Sequence, residues 1–201
     1  MTALDTPGLH ASRPNEERSP RVVAFQGERG AYGDLAIDQR WGSDVLREPC
    51  WDFEGVIASV VRGAADAGVL PVTNVIVGNI PGVKDAIARS GLQRVDTVTV
   101  PVRHCLLGVR GSDVSRIRIA SSHAVALAQC AYFFARHAEI EARARYDTAG
   151  AAREVAARRT LGEAAVASAE CAARYGLVIL ERDIGDRSDN ATTFAVIVRE
   201  R

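Results

Sequence analysis

Two rhythms of apolar and polar positions take turns along this chain. Arg21-Val22-Val23-Ala24-Phe25-Gln26 is a short β-branched run closed by Gly27, the pattern of an inner strand. Residues 31–41 follow at helical spacing. Phe53, Val56, Ile57 and Val60 recur at i, i+3, i+4 and i+7, which predicts an amphipathic helix over residues 53–61, stopped by Gly63. Residues 67–72 predict a buried strand that runs into Pro71-Val72-Thr73-Asn74; a helix over 80–88, an alternating strand over 95–102 and an apolar strand over 104–109 come next. A second cycle begins at Ile117. It predicts strands over 117–120, 141–146, 164–167 and 177–180, with helices over 124–137, 147–159 and 170–175 between them. A polar turn, Ser188-Asp189-Asn190, leads to a closing strand over 191–198.

Two cycles of strand and helix joined by chain crossings predict an α/β protein of two lobes, each a mixed sheet flanked by helices, with a cleft between. The first lobe is expected to hold residues 21–100 and 183–201, the second residues 101–182. Residues 1–20, with three prolines and many polar side chains, are expected to form a disordered leader.

Composition removes several function classes. The 25 basic and 25 acidic residues cancel, and no basic stripe interleaved with aromatics appears, so nucleic acid is not an expected partner. No apolar run reaches the roughly 20 residues that span a bilayer, and the leader lacks the apolar core of a signal peptide; no membrane partner and a cytoplasmic location are expected. Cys50, Cys105, Cys130 and Cys171 are scattered, as are His10, His104, His123 and His137, so neither a disulfide framework nor a metal site is expected. Gly27-Glu28-Arg29-Gly30 lacks the Lys-Ser/Thr of a phosphate-binding loop, and no cofactor is expected.

The candidate chemistry sits where strands end, because in open α/β sheets ligands collect at the loops leaving the strand C-termini. Asn74 offers two donors and an acceptor there, and serves equally as a turn or as a ligand contact. Gly30 and Ala31 place backbone N–H groups at a helix start, where a carboxylate is welcome. Ser122 stands where an N-cap belongs, a position that either caps the helix or grips an anion. Gln129 lies further along that helix, and Thr148 lies within a second cap-like junction, Asp147-Thr148-Ala149-Gly150.

These junctions resemble the catalytic domain of the prephenate dehydratase family. The family's glycine loop corresponds to Gly27-Glu28-Arg29-Gly30-Ala31-Tyr32-Gly33, and its Val-Pro-Ile-Glu-Asn-(Ser/Thr) to Leu70-Pro71-Val72-Thr73-Asn74-Val75. His104-Cys105-Leu106-Leu107 is intact. Ser121-Ser122-His123, Gln129-Cys130, Tyr175-Gly176-Leu177 and Asn190-Ala191-Thr192-Thr193-Phe194 complete a collinear match from Arg21 to Val198. The resemblance implies a fold like that of periplasmic binding proteins, a homodimer, and a dicarboxylate substrate, prephenate, that loses carbon dioxide and its ring hydroxyl together. It implies that Thr192 assists the departing hydroxyl, that Asn74, Ser122 and Gln129 orient the substrate, and that Gly30, Ala31, Thr73, Thr148, Thr193 and Phe194 complete the substrate wall. Family members usually carry a phenylalanine-binding ACT domain; this chain, ending at Arg201, is expected to work without one.

Departures from the family pattern bear on the chemistry. The family arginine is Thr193, the glutamate is Thr73, the next Ser/Thr is Val75, and the polar loop residues are Ala31 and Gly33. Losing a guanidinium would cost a dianion a charge-assisted contact of about 1.5–3 kcal/mol. Three readings follow: a dehydratase yielding phenylpyruvate, a non-aromatising prephenate decarboxylase, and a non-catalytic small-carboxylate binding module. All three depend on Asn74, Ser122, Gln129 and Thr192 sharing one crevice.

Overall fold

The computed structural model describes residues 20–200, so the expected leader over 1–20 lies almost wholly outside the described residues. In chain order the first half holds β1 (Val22–Gln26), α1 (Tyr32–Trp41), β2 (Leu46–Cys50), α2 (Phe53–Arg62), β3 (Ala67–Asn74), β4 (Gly78–Asn79), α3 (Val83–Arg89), β5 (Gln93–Pro101) and β6 (Cys105–Gly108). The second half holds β7 (Ile119–His123), α4 (Ala124–Ala128), α5 (Ala131–Arg136), β8 (Glu141–Arg145), α6 (Thr148–Arg158), β9 (Glu163–Ala167), α7 (Ala169–Tyr175), β10 (Val178–Glu181) and β11 (Ala191–Val198).

Two mixed sheets result, as the alternation predicts. One runs β2-β1-β3-β11-β5, with β4 paired to β3; the other runs β10-β6-β9-β7-β8. In the first sheet, one face packs Val23, Phe25 and Phe194 against Ile37 of α1, and the other packs Leu70 and Ile197 against Val56 and Val60 of α2. The apolar stripe read from α2 is thus the stripe it buries, at about 1.5–3 kcal/mol per fully buried side chain. Asp52 caps this helix by accepting from Gly55 N at 2.8 Å, and Gly63 ends it in the left-handed region at φ 80°. In the second sheet, α6 and α7 cover one face and α4 and α5 the other.

The chain crosses between sheets twice, at residues 102–104 and 182–190. These segments are tied to each other: Val102 N donates to Asn190 O at 2.8 Å, and Ile184 N donates to His104 O at 2.9 Å. A third junction comes from the loop after β1. Ala31 packs into the alanine-rich core of the second sheet, Glu28 N donates to Asp147 Oδ2 at 3.1 Å, and Gly30 O accepts the Ser168 hydroxyl at 2.9 Å. Tyr175 Oη donates to Arg29 O at 2.6 Å, and Tyr146 stacks on Trp51 with ring centroids 4.9 Å apart.

Three local expectations are corrected. β2 is an additional strand: Leu46–Cys50 contains Pro49 and the charged pair Arg47-Glu48, yet it pairs in parallel with β1 as an edge strand, the position where a missing N–H is tolerated. The helix expected over 124–137 is broken at Gln129-Cys130. The cause is distant, because Asp186 N donates to Gln129 O at 2.7 Å while the Asp186 carboxylate accepts from Ala131 N and Tyr132 N, both at 2.9 Å. A carboxylate from the second crossing thereby starts α5 afresh. The N-cap of α4 is His123, whose Nδ1 accepts from Val125 N at 3.3 Å, rather than Ser122.

The docked loop supplies a test. Gly30 has φ 92°, and a Cβ there would lie 2.9 Å from Cys171 Sγ. Gly30→Ala is expected to lower stability by about 2–4 kcal/mol through combined backbone strain and overpacking, read as a shift in the urea midpoint.

Candidate functional site

A cleft of about 430 Å³ lies between the sheets. Its apolar surface comes from Phe53, Val69, Pro71, Val77, Ile80 and Phe194 on one side and from Val125 and Ala126 on the other. Asn74, Thr192, Gln129, His104, Tyr32, Tyr146, Asp147 and Thr148 supply polar side chains. Among the described residues no lysine or arginine lines it.

Asn74 reaches the cleft because β3 is bulged. Val69 and Pro71 face the cleft, and a strict two-residue period would turn Thr73 the same way. The pairing with β11 instead skips from Phe194↔Pro71 to Thr193↔Thr73, so Val72 is an extra residue and Asn74 becomes the cleft-facing side chain opposite Thr192. Thr73 and Thr193 lie away from the cleft. Thr193 hydrogen-bonds Thr99 of β5, hydroxyl to hydroxyl, at 2.9 Å. Position 193, where the family pattern has arginine, thus starts on the face of the sheet away from the cleft.

Of the four residues expected to share one crevice, Asn74, Gln129 and Thr192 do so and Ser122 does not. Ser122 follows Ala120 onto a face of β7 that is fully buried, where its hydroxyl donates to Val166 O. Ala31, Thr148 and Phe194 line the cleft, whereas Gly30 sits behind it with its N–H given to the buried Asp34 carboxylate at 2.8 Å. The α1 N-terminus at Tyr32 and Gly33 opens on the cleft, and Ala31 offers no capping side chain. His104, Asn190 and Tyr32 appear in the motifs but were given no role there. Their signal was positional, since His104 and Asn190 stand at the edge of apolar runs and Tyr32 opens a helix.

One chain of hydrogen bonds links these side chains, and its direction is determined. Asn74 Oδ1 accepts from Ile76 N at 2.9 Å and from Val77 N at 3.0 Å, and backbone N–H groups can only donate. Asn74 Nδ2 therefore faces the other way and donates among Asn190 Oδ1 at 2.8 Å, Ala191 O at 3.0 Å and Thr192 Oγ1 at 3.0 Å. Asn190 Nδ2 then donates to Gln129 Oε1 at 3.0 Å. The same oxygen lies 3.1 Å from His104 Nε2, which must carry a hydrogen, leaving His104 Nδ1 as an acceptor that competes at 3.2 Å with Arg103 O at 2.9 Å for the single hydrogen of the Tyr32 hydroxyl. Burial holds the His104 imidazole below the usual histidine range, in its neutral form. Burial also raises Asp147, although its Oδ2 accepts from Gly150 N and Glu28 N.

The arrangement is donor-rich without being cationic. Thr192 Oγ1 is occupied as an acceptor, which frees its hydrogen for a ligand. Gln129 Nε2 has no hydrogen-bond partner among the described residues.

The family model for prephenate dehydratase matches residues 23–201. An arogenate dehydratase/prephenate dehydratase of Arabidopsis thaliana is 38% identical over 178 residues, covering 89% of this chain and 46% of the relative. A bifunctional chorismate mutase/prephenate dehydratase of Enterobacter agglomerans is 30% identical over 200 residues, 98% of this chain and 49% of the relative. The chain thus spans about half the length of these curated relatives. Among solved structures, a prephenate dehydratase of Arthrobacter aurescens in complex with L-Phe superposes with a TM-score of 0.82 at 30% identity, covering 90% of this chain and 61% of that one.

The His104 environment gives a pH prediction. A histidine whose folded pKa lies below its unfolded value supports the fold fully above the unfolded pKa, near 6.5, and this support is lost as pH falls through the lower folded value. The melting temperature is expected to fall on acidification below about pH 6.5, and His104→Gln is expected to flatten that part of the profile, measured by thermal unfolding across pH.

Proposed function

Because the chain belongs to the prephenate dehydratase family, we propose that it converts prephenate to phenylpyruvate, carbon dioxide and water. Electrons of the bond to the ring carboxylate pass into the ring as carbon dioxide leaves, and the ring becomes aromatic as the hydroxyl departs from the opposite carbon. Little covalent chemistry is asked of the protein, only positioning and a hydrogen bond to the departing oxygen. The observation that carries this reading is the state of Thr192: its oxygen accepts from Asn74 Nδ2 at 3.0 Å, so its O–H is free to donate into the cleft. The N-terminus of α1 and the Gln129 amide supply donors for carboxylates in a site without guanidinium groups.

A second reading has its own support. A cleft that among the described residues is lined by no lysine or arginine, and by Asp147 as its one carboxylate side chain, suits a substrate of lower net negative charge. Arogenate, named in the curated relatives, replaces the keto group with an ammonium that Asp147 can partner. The homodimer and the cytoplasmic location expected from the sequence belong to the same proposal.

Purified protein incubated with prephenate should form phenylpyruvate, followed by its absorbance, and with arogenate phenylalanine measures the second reading. Thr192→Ala is expected to lower kcat by about 10²–10³-fold while Thr192→Ser stays near the parent. Carbon dioxide release without phenylpyruvate would identify the non-aromatising decarboxylase instead, and binding without turnover the carboxylate-binding module.

A further inference from the structure

The Gln129 carboxamide is a two-faced group on the cleft wall. Its terminal torsion is broad and nearly two-fold, so by itself it would present an oxygen to the cleft about as readily as a nitrogen. An oxygen there meets a substrate carboxylate with repulsion; the nitrogen meets it with two donors. In this structure the oxygen is claimed from two sides: Asn190 Nδ2 donates to it at 3.0 Å from the second crossing, and His104 Nε2 lies 3.1 Å away on the first. Both claimants are buried, Asn190 at 4% and His104 at 2% exposure. Asn190 is held by Asn74 at its Oδ1, and His104 Nδ1 lies 3.2 Å from the Tyr32 hydroxyl. That hydroxyl has one hydrogen, for which Arg103 O, 2.9 Å away, and His104 Nδ1 compete. Asp186 completes the setting by breaking the helix at Gln129, which points the side chain at the crossings.

We propose that Asn190 and His104 are positioning residues that hold the Gln129 carboxamide with its Nε2–H₂ turned to a substrate carboxylate. They turn donors to an anion in a cleft that no lysine or arginine lines among the described residues. The inference rests on the reading of the site as one for a prephenate-type carboxylate. Both act on the carboxylate through Gln129.

Three measurements test it. Nitrogen-15 NMR of the histidine side chains should show His104 protonated at Nε2 and an acceptor at Nδ1; an Nδ1–H tautomer overturns the proposal regardless of turnover. Asn190→Leu and Gln129→Met should each raise KM for prephenate tenfold or more with a smaller change in kcat, and the double variant should be no worse than Gln129→Met alone. Additive effects, or a parent-like KM in Asn190→Leu, overturn it. Where Asn190→Leu fails to fold, the His104 pair decides: His104→Gln keeps a donor for Gln129 and should hold KM within about threefold, while His104→Leu should raise it as Gln129→Met does. Equal effects of the two overturn the proposal. Parent protein that neither binds nor converts prephenate or arogenate refutes the functional reading, a result distinct from turnover with an unmoved KM.

Discussion

The site depends on a constraint that is purely directional. Two adjacent backbone N–H groups, those of Ile76 and Val77, can only donate, and both point at Asn74 Oδ1. That choice of one amide orientation passes through Asn190 and Gln129 to His104, since each amide that accepts on one side must donate on the other. What emerges at the cleft surface is hydrogen: the hydroxyl of Thr192 and the amide of Gln129. A run of polar groups in a buried place is costly unless every member is satisfied, and here satisfaction of the buried members leaves donors only where a ligand can reach.

An anion in this cleft is met by neutral donors rather than by a guanidinium. Each neutral hydrogen bond contributes about 0.5–1.5 kcal/mol net against about 1.5–3 kcal/mol for a charged one, so several convergent donors are needed to match one arginine. Convergence demands rigidity. The two crossings supply it by hydrogen-bonding one another, and the loop after β1 adds a third contact by burying Ala31 in the far core. The lobes are therefore joined at the hinge and again along the cleft, where the Trp51–Tyr146 stack adds a further contact.

The architecture was legible in the chain because burial imposes a period. Inner strands such as Val22–Gln26 and the α2 stripe declare themselves within a few residues, since each must hide an apolar face. The collinear motifs likewise singled out Asn74, Gln129 and Thr192, which the fold brings to one cleft. Strand β2 escaped because an edge strand in a parallel pair needs little apolar surface, and Pro49 disguised it further.

What tertiary structure alone decided is which way side chains face and what they touch. An extra residue, Val72, sends Asn74 rather than Thr73 to the cleft, and it is visible only in the pairing with a strand some 120 positions away. Ser122 belongs to the core because its strand is covered on both faces, and Thr193 to the outer face because it neighbours Thr99. Gln129 is aimed by Asp186, from a segment the local helical pattern knows nothing of. Hydrophobic periodicity is a local property and can be read from the chain; hydrogen-bond direction across a hinge is set by partners that only folding brings together.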